Sequence, residues 1–313
     1  MEIQQAVVIG TGAMAPGIAA ILALAGARTT IAGRAAERAM RAQFAAQDLV
    51  RQLAANGLAS PESADGAVTR LYASDDWTAP AAAADLVIES IIEDMAVKKD
   101  LFARLDAAAR PETILASNTS GLSITEIARA AGRPGRVLTT HFWNPPHLMP
   151  LVEVVVGERT DPEVVERTLE ILRGLGKTPV VLHKDRPGQL GNRMQAALMR
   201  EALHIVEEGI ASPEDVDRAV RLGFGLRMPM WGPLQHMDAV GLDLVLAVQD
   251  YVLPDLNNQP RAPQVLRDKV ARGELGQKTG RGFYDAAEIE AAKKARDAFL
   301  LEFLRARRKQ NHA

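Results

Sequence analysis

Ala6-Val7-Val8-Ile9-Gly10-Thr11-Gly12-Ala13-Met14-Ala15-Pro16-Gly17-Ile18 is the stretch that decides the fold. Four apolar residues read as a buried strand, and an apolar run with a proline near its start reads as a helix. The turn between them matches G-x-G-x-x-G/A, with Ala15 in the last place. Gly10 permits the tight turn, Gly12 lets the backbone approach a pyrophosphate, and Ala15 lets helix and sheet pack closely. The first N–H groups of the helix are then free for phosphate oxygens. Gly10, Gly12, Ala13 and Met14 are thus candidate dinucleotide contacts.

Working outward, short apolar runs at 29–32, 86–91, 114–116, 137–142, 151–156 and 179–182 read as further strands, separated by helical patterns at 15–25, 35–56, 97–109, 123–131 and 162–175. Alternation of this kind, with nearly all-apolar strands, predicts an α/β domain: a doubly wound, mostly parallel sheet covered on both faces. From about Arg186 the strand signal stops, and patterns at 189–208, 213–222, 232–253, 262–272 and 286–307 are helical. The expected organisation is a dinucleotide-binding domain over 1–185 and an all-helical domain over 186–313. The basic tail at 305–309 reads as a solvated helix end.

Composition narrows the function. With 313 residues, 47% hydrophobic and 24% charged, the chain can bury two cores. A net charge of −2 offers nothing to nucleic acid or an anionic membrane. The absence of cysteine removes disulfides, thiolate metal sites and cysteine nucleophiles. No ligand spacing suggests a metal. The N-terminus lacks the basic and apolar regions of a secretory signal, so the protein is expected to be cytoplasmic.

Two features carry chemistry. At the end of the second strand, Gly33-Arg34 stands where an NAD-selective site places an acid, with Arg38 one turn further on. A guanidinium there suits a 2′-phosphate, which predicts NADP in preference to NAD. Further along, His141 closes one strand and Glu153 lies inside the next, joined by a turn through Pro145-Pro146. An imidazole with a carboxylate on its far nitrogen is either a structural hydrogen bond or a general base; downstream of a nucleotide loop it points to the base.

The chain resembles the L-3-hydroxyacyl-CoA dehydrogenases and their non-CoA relatives over nearly its whole length. The matching segments are 10–20, 89–98, Ser117-Asn118-Thr119-Ser120, 141–155, 187–193, 238–243 and 278–284. The resemblance implies hydride transfer between a nicotinamide cofactor and a secondary alcohol or ketone, in a homodimer formed by the helical domain. It implies His141 as acid/base, Glu153 as its orienting partner, and Ser120 and Asn192 as the groups that hold the substrate oxygen. It further implies that Glu93, Lys98, Asn118 and Asn144 lie at the cofactor. Without the resemblance, Ser120 could cap the helix near Ser123, and Asn192 could be a packing residue.

The chain departs from the usual acyl-CoA enzymes at Gly33-Arg34, at Trp143, where a second phenylalanine is common, and at Gln189, where an aromatic is common. The 35–65 segment, which carries lysines in coenzyme A-binding relatives, has none. A small non-CoA hydroxy compound is therefore expected over a 3-hydroxyacyl-CoA. The alternatives are a cofactor-binding protein with little catalysis, like the lens crystallin relatives, or an imine-reducing enzyme.

Overall fold

The first unit alternates strand and helix as β1 (Gln5–Ile9), α1 (Ala15–Leu24), β2 (Arg28–Ala32), α2 (Ala36–Ala55), α3 (Pro61–Thr69), β3 (Leu71–Ser74), α4 (Thr78–Ala83), β4 (Leu86–Glu89), α5 (Met95–Ala108), β5 (Ile114–Ser117), α6 (Ile124–Ala128), β6 (Val137–Phe142), β7 (Leu151–Val156), α7 (Pro162–Gly174) and β8 (Thr178–Leu182). This is a computed structural model, and it describes residues 3–311. The eight strands form one sheet in the order β3-β2-β1-β4-β5-β6-β7-β8, parallel throughout except where β6 meets β7. The order reverses between β1 and β4, which opens a crevice at their carboxyl ends.

Alternation along β1 shows how both faces are covered. Ala6 and Val8 join the core built by α1, α2 and α7, whereas Val7 and Ile9 join the core under α4, α5 and α6. The small residues of α1 let it approach the sheet closely: Ala15, Ile18, Ala19, Ala20 and Leu22 are fully buried.

Two strands differ from the sequence expectation. Leu71–Ser74 is an edge strand, too short and too mixed to stand out as an apolar run. β4 stops at Glu89 instead of Ile91, because the Glu89 side chain accepts the Ile91 N–H at 2.7 Å and turns the chain there.

The first compact unit runs to Asn192 and takes in the chain again from Arg296; the second is Arg193–Ala295. The division falls later than 185/186 because Asp185 accepts from Ser123 Oγ at 2.5 Å and Thr125 N–H at 2.9 Å, and Gln189, Gly191 and Asn192 also bond into the first unit. Helices α8 (Gly191–Glu207), α9 (Pro213–Leu222), α10 (Phe224–Arg227), α11 (Pro233–Val240), α12 (Leu242–Val252) and α13 (Gln264–Ala271) follow. The expected single helix over 232–253 is broken at Gly241, whose φ of 104° favours glycine. In the last helix, α14 (Ala286–Asn311), the side chains of Arg308 and Lys309 from the expected basic tail lie outside the described residues, while Arg305 is exposed and paired. Arg305 donates to the Asn56 carbonyl oxygen at 2.8 Å, and Arg307 to Thr178 Oγ1 at 3.1 Å. Among the described residues no helix is long and apolar enough to cross a membrane.

Candidate active site

The carboxyl ends of β1, β2, β4, β5 and β6 line a cavity of about 1640 Å³ within the first unit. Gly10, Gly12, Ala13, Met14, Gly33, Arg34, Glu93, Asn118, Ser120, His141, Asn144 and Asn192 are all on its wall. Gly10 has φ 130°, and a Cβ there would lie 2.2 Å from the Ser90 carbonyl oxygen, so no other residue fits. A Cβ on Gly12 would meet nothing within 4 Å, which leaves open space above the loop. No side chain caps α1 and its first turn carries no acid; the Ala15 N–H bonds to the Gly12 carbonyl oxygen at 3.3 Å and Pro16 has none, so what α1 offers an anion is chiefly the positive end of its dipole. Gly17 completes the arrangement: a Cβ there would come within 2.6 Å of Pro146 Cγ, so α1 can pack tightly against the loop that follows His141.

His141 and Glu153 face each other in register on β6 and β7. His141 Nδ1 is 2.7 Å from Glu153 Oε2, with Glu153 fully buried and His141 nearly so. The other oxygen, Oε1, accepts the N–H groups of Leu190 and Gly191 at 3.0 and 2.9 Å. Burial alone would raise the Glu153 pKa; the His141 hydrogen bond, the two backbone N–H groups and the His141 charge outweigh it and hold the carboxyl below its usual range. An ionised carboxylate at Nδ1 places the neutral ring's proton there and leaves a lone pair on Nε2.

A second carboxylate network shapes the Ser120 loop. Glu89, fully buried at the end of β4, accepts Lys98 Nζ at 2.5 Å and Ser117 Oγ at 2.6 Å. Lys98 also reaches Glu93 at 3.2 Å. Glu93 Oε1 accepts the Thr119 hydroxyl and the Ser120 N–H, both at 2.7 Å, and the Ser120 hydroxyl at 3.1 Å. Partial burial would raise the Glu93 pKa, but the Thr119 bond, the Lys98 charge and the Ser120 N–H bring it down. Asn192 donates its amide to the Ser120 carbonyl oxygen at 3.0 Å, and Asn118 Oδ1 accepts the Phe142 N–H at 2.8 Å.

Lys98 departs from its expected place. It is 1% exposed and absent from the cavity wall, so it cannot touch a cofactor directly and acts through Glu89 and Glu93. Ser120 is not a helix cap; Ser123 caps α6 by accepting the Glu126 N–H at 3.2 Å. Gln189 does not add polarity to the cavity: it is buried, with φ 53°, and donates to the Thr119 carbonyl oxygen at 2.7 Å. Asp75, Asp76 and Trp77, just beyond β3, line the cavity with Arg34, Arg38 and Arg41. Sequence reading missed those two acids because it missed the strand that delivers them.

Two family models cover most of the chain: "3-hydroxyacyl-CoA dehydrogenase, NAD binding domain" over residues 5–186, and "3-hydroxyacyl-CoA dehydrogenase, C-terminal domain" over residues 188–286. The chain is 36% identical to 5-formyl-3-hydroxy-2-methylpyridine 4-carboxylate 5-dehydrogenase of Mesorhizobium japonicum, over 90% of each chain. It is 39% identical to a probable 3-hydroxybutyryl-CoA dehydrogenase of Bacillus subtilis, over 92% of this chain and 99% of the relative. Among solved structures it matches a 5-formyl-3-hydroxy-2-methylpyridine 4-carboxylic acid 5-dehydrogenase, described as an NAD+ dependent dismutase, with a TM-score of 0.90 and 33% identity over 97% of this chain and 98% of that one.

Proposed function

The chain belongs to the 3-hydroxyacyl-CoA dehydrogenase family, and from that premise we propose that it transfers hydride between NAD and a small hydroxy or carbonyl compound not carried on coenzyme A. The observation that carries this reading is the His141–Glu153 pair, locked in register and opening on the cavity beside the glycine loop. The dinucleotide suits these residues, since the loop excludes a Cβ at Gly10 and leaves Gly12 open before an uncapped helix. When bound, the nicotinamide supplies the hydride acceptor or donor.

The protein's own part is proton management. In oxidation, His141 Nε2 takes the hydroxyl proton as the carbinol carbon loses hydride; in reduction it returns that proton to the carbonyl oxygen. Ser120 and Asn192 stand on the same wall and supply polar groups for the substrate oxygen. Glu93 keeps its bonds to Thr119, the Ser120 N–H and Lys98 when the Ser120 hydroxyl turns from it toward substrate.

Two observations favour a substrate without coenzyme A: the lysine-free 35–65 segment, and a likeness to the pyridine-compound enzyme that extends over 97% of the chain. For the nucleotide, the family model and that NAD+ dependent relative point to NAD, and neither supports the expected preference for NADP. Arg34 and Arg38 at the cavity wall nonetheless favour acceptance of a 2′-phosphate, so we assign NADP as a second nucleotide.

The test is a nucleotide-oxidation screen with NADH and NADPH against acetoacetyl-CoA, free keto acids and pyridine aldehydes. Turnover of a free carbonyl compound with NADH, and measurably with NADPH, is the expected result. Activity confined to the thioester would overturn the substrate assignment, and failure of NADPH would overturn the role given to Arg34. Nucleotide binding without any turnover would favour the non-catalytic reading.

A second copy of the chain completes the proposal. None of helices α8 to α13 contributes a buried residue, and Leu222, Met230 and Tyr251 are 71%, 83% and 87% exposed. Helices with that much uncovered apolar surface need another protein surface over them. Sedimentation equilibrium should give twice the chain mass at micromolar concentration. A stable monomer would remove the homodimer.

A further inference from the structure

Glu153 has a second side-chain partner that the acid/base reading does not use. The indole Nε1 of Trp143 donates to Oε2 at 3.1 Å, the same oxygen that faces His141 Nδ1 at 2.7 Å. With Leu190 and Gly191 on Oε1, four donors converge on one fully buried carboxylate. The indole stands beside the imidazole, with ring centroids 5.5 Å apart, and it lines the cavity. Its place depends on Gly191: a Cβ there would fall 2.3 Å from Trp143 Cζ2.

We propose that Trp143 is a positioning residue for the acid/base pair, sharing the Glu153 oxygen with His141 and so setting how strongly the carboxylate holds the imidazolium. The physical argument is a competition for one acceptor. Negative charge on Oε2 stabilises protonated His141; each N–H that the oxygen accepts withdraws part of that charge. Phenylalanine offers the same apolar ring wall without a donor, so a chain with Trp here runs the pair with a weaker carboxylate and a more firmly oriented one. Gly191 serves the arrangement twice, giving its N–H to Oε1 and yielding the space the indole fills. The strand neighbours of the pair, Val152, Val154 and Val180, are uncharged. The other charged groups on the cavity wall are Glu93 near Ser120, the arginines and aspartates around Arg34 and Asp75, and Asp100 and Arg104 of α5; Trp143→Phe alters none of them.

This inference rests on His141 being the acid/base, and the experiment separates the two. The pH dependence of kcat/KM for oxidation is measured for the wild type, Trp143→Phe and His141→Ala. The acid limb reports loss of the neutral imidazole. With the indole donor gone, the carboxylate stabilises the imidazolium more strongly, so the limb should move to higher pH by roughly 0.5–1 unit. Gly191→Ala, which drives a methyl into the indole, should move the limb the same way in the wild type and not in the Trp143→Phe background.

If the limb stays put in Trp143→Phe, whatever happens to KM, Trp143 is only a wall and the proposal fails. An equal Gly191→Ala effect in both backgrounds has the same meaning. If His141→Ala keeps wild-type turnover, it is the acid/base assignment that fails instead.

Discussion

Replacing His141 with alanine should lower kcat/KM by about 10³-fold, inside the roughly 10²–10⁴-fold range that a positioned acid/base contributes, while nucleotide affinity stays within about twofold. The two readouts separate because the residues doing each job are different. The nucleotide is held by a glycine loop and a helix N-terminus, built by β1 and α1. His141 enters from β6 and lines the cavity. Removing the imidazole leaves hydroxyl deprotonation to water, and leaves Glu153 buried with Trp143, Leu190 and Gly191 as its remaining partners. His141→Asn can keep a hydrogen bond to Glu153 and so preserves the fold without supplying a base. Isothermal titration of the nucleotide and steady-state kinetics on the substrate found in the screen measure both effects. A loss smaller than tenfold would move the proton transfer to another group on the wall, with Glu93 and Ser120 the nearest in chemistry.

Much of this site could be read from sequence because its parts are local or in register. The glycine loop occupies six consecutive residues between one strand and one helix, and each small residue there has its own steric reason. His141 and Glu153 are twelve apart, and the connection through Pro145-Pro146 between adjacent antiparallel strands sets them opposite each other. What escaped the sequence depends on long-range packing. Lys98 carries the charge of a surface residue, yet it folds inward because Glu89 at a buried strand end needs a cation. Trp143 looks like a bulkier wall residue until the first turn of α8, residue 191, makes room for its indole. β3 was invisible as Leu71-Tyr72-Ala73-Ser74, since an edge strand with one buried residue has no apolar run to show. With that strand went Asp75 and Asp76, two acids on the same cavity wall as Arg34.

Lys98→Met should cost about 3–5 kcal/mol of stability, the loss expected when one partner of a buried ion pair is removed. Methionine matches the stem of lysine in volume, so the packing of α5 onto the sheet is largely kept and the loss is electrostatic. Glu89 would remain fully buried with only the Ile91 N–H and the Ser117 hydroxyl as partners. Two donors do not replace a cation at 2.5 Å in a fully buried site. The damage is not confined to stability. Glu93 loses its 3.2 Å contact with Lys98 and holds Ser120 less firmly, so the surviving folded protein should turn over more slowly. Urea unfolding followed by circular dichroism gives the first quantity, and kcat measured well below the transition gives the second. Lys98→Met with Glu89→Gln supplies the control, because a neutral amide no longer needs the ammonium. That double variant should recover part of the stability but little of the turnover, since Glu93 still lacks its anchor. Full recovery of both would mean that Glu89 alone answers to Lys98, and that the Ser120 loop stands without it.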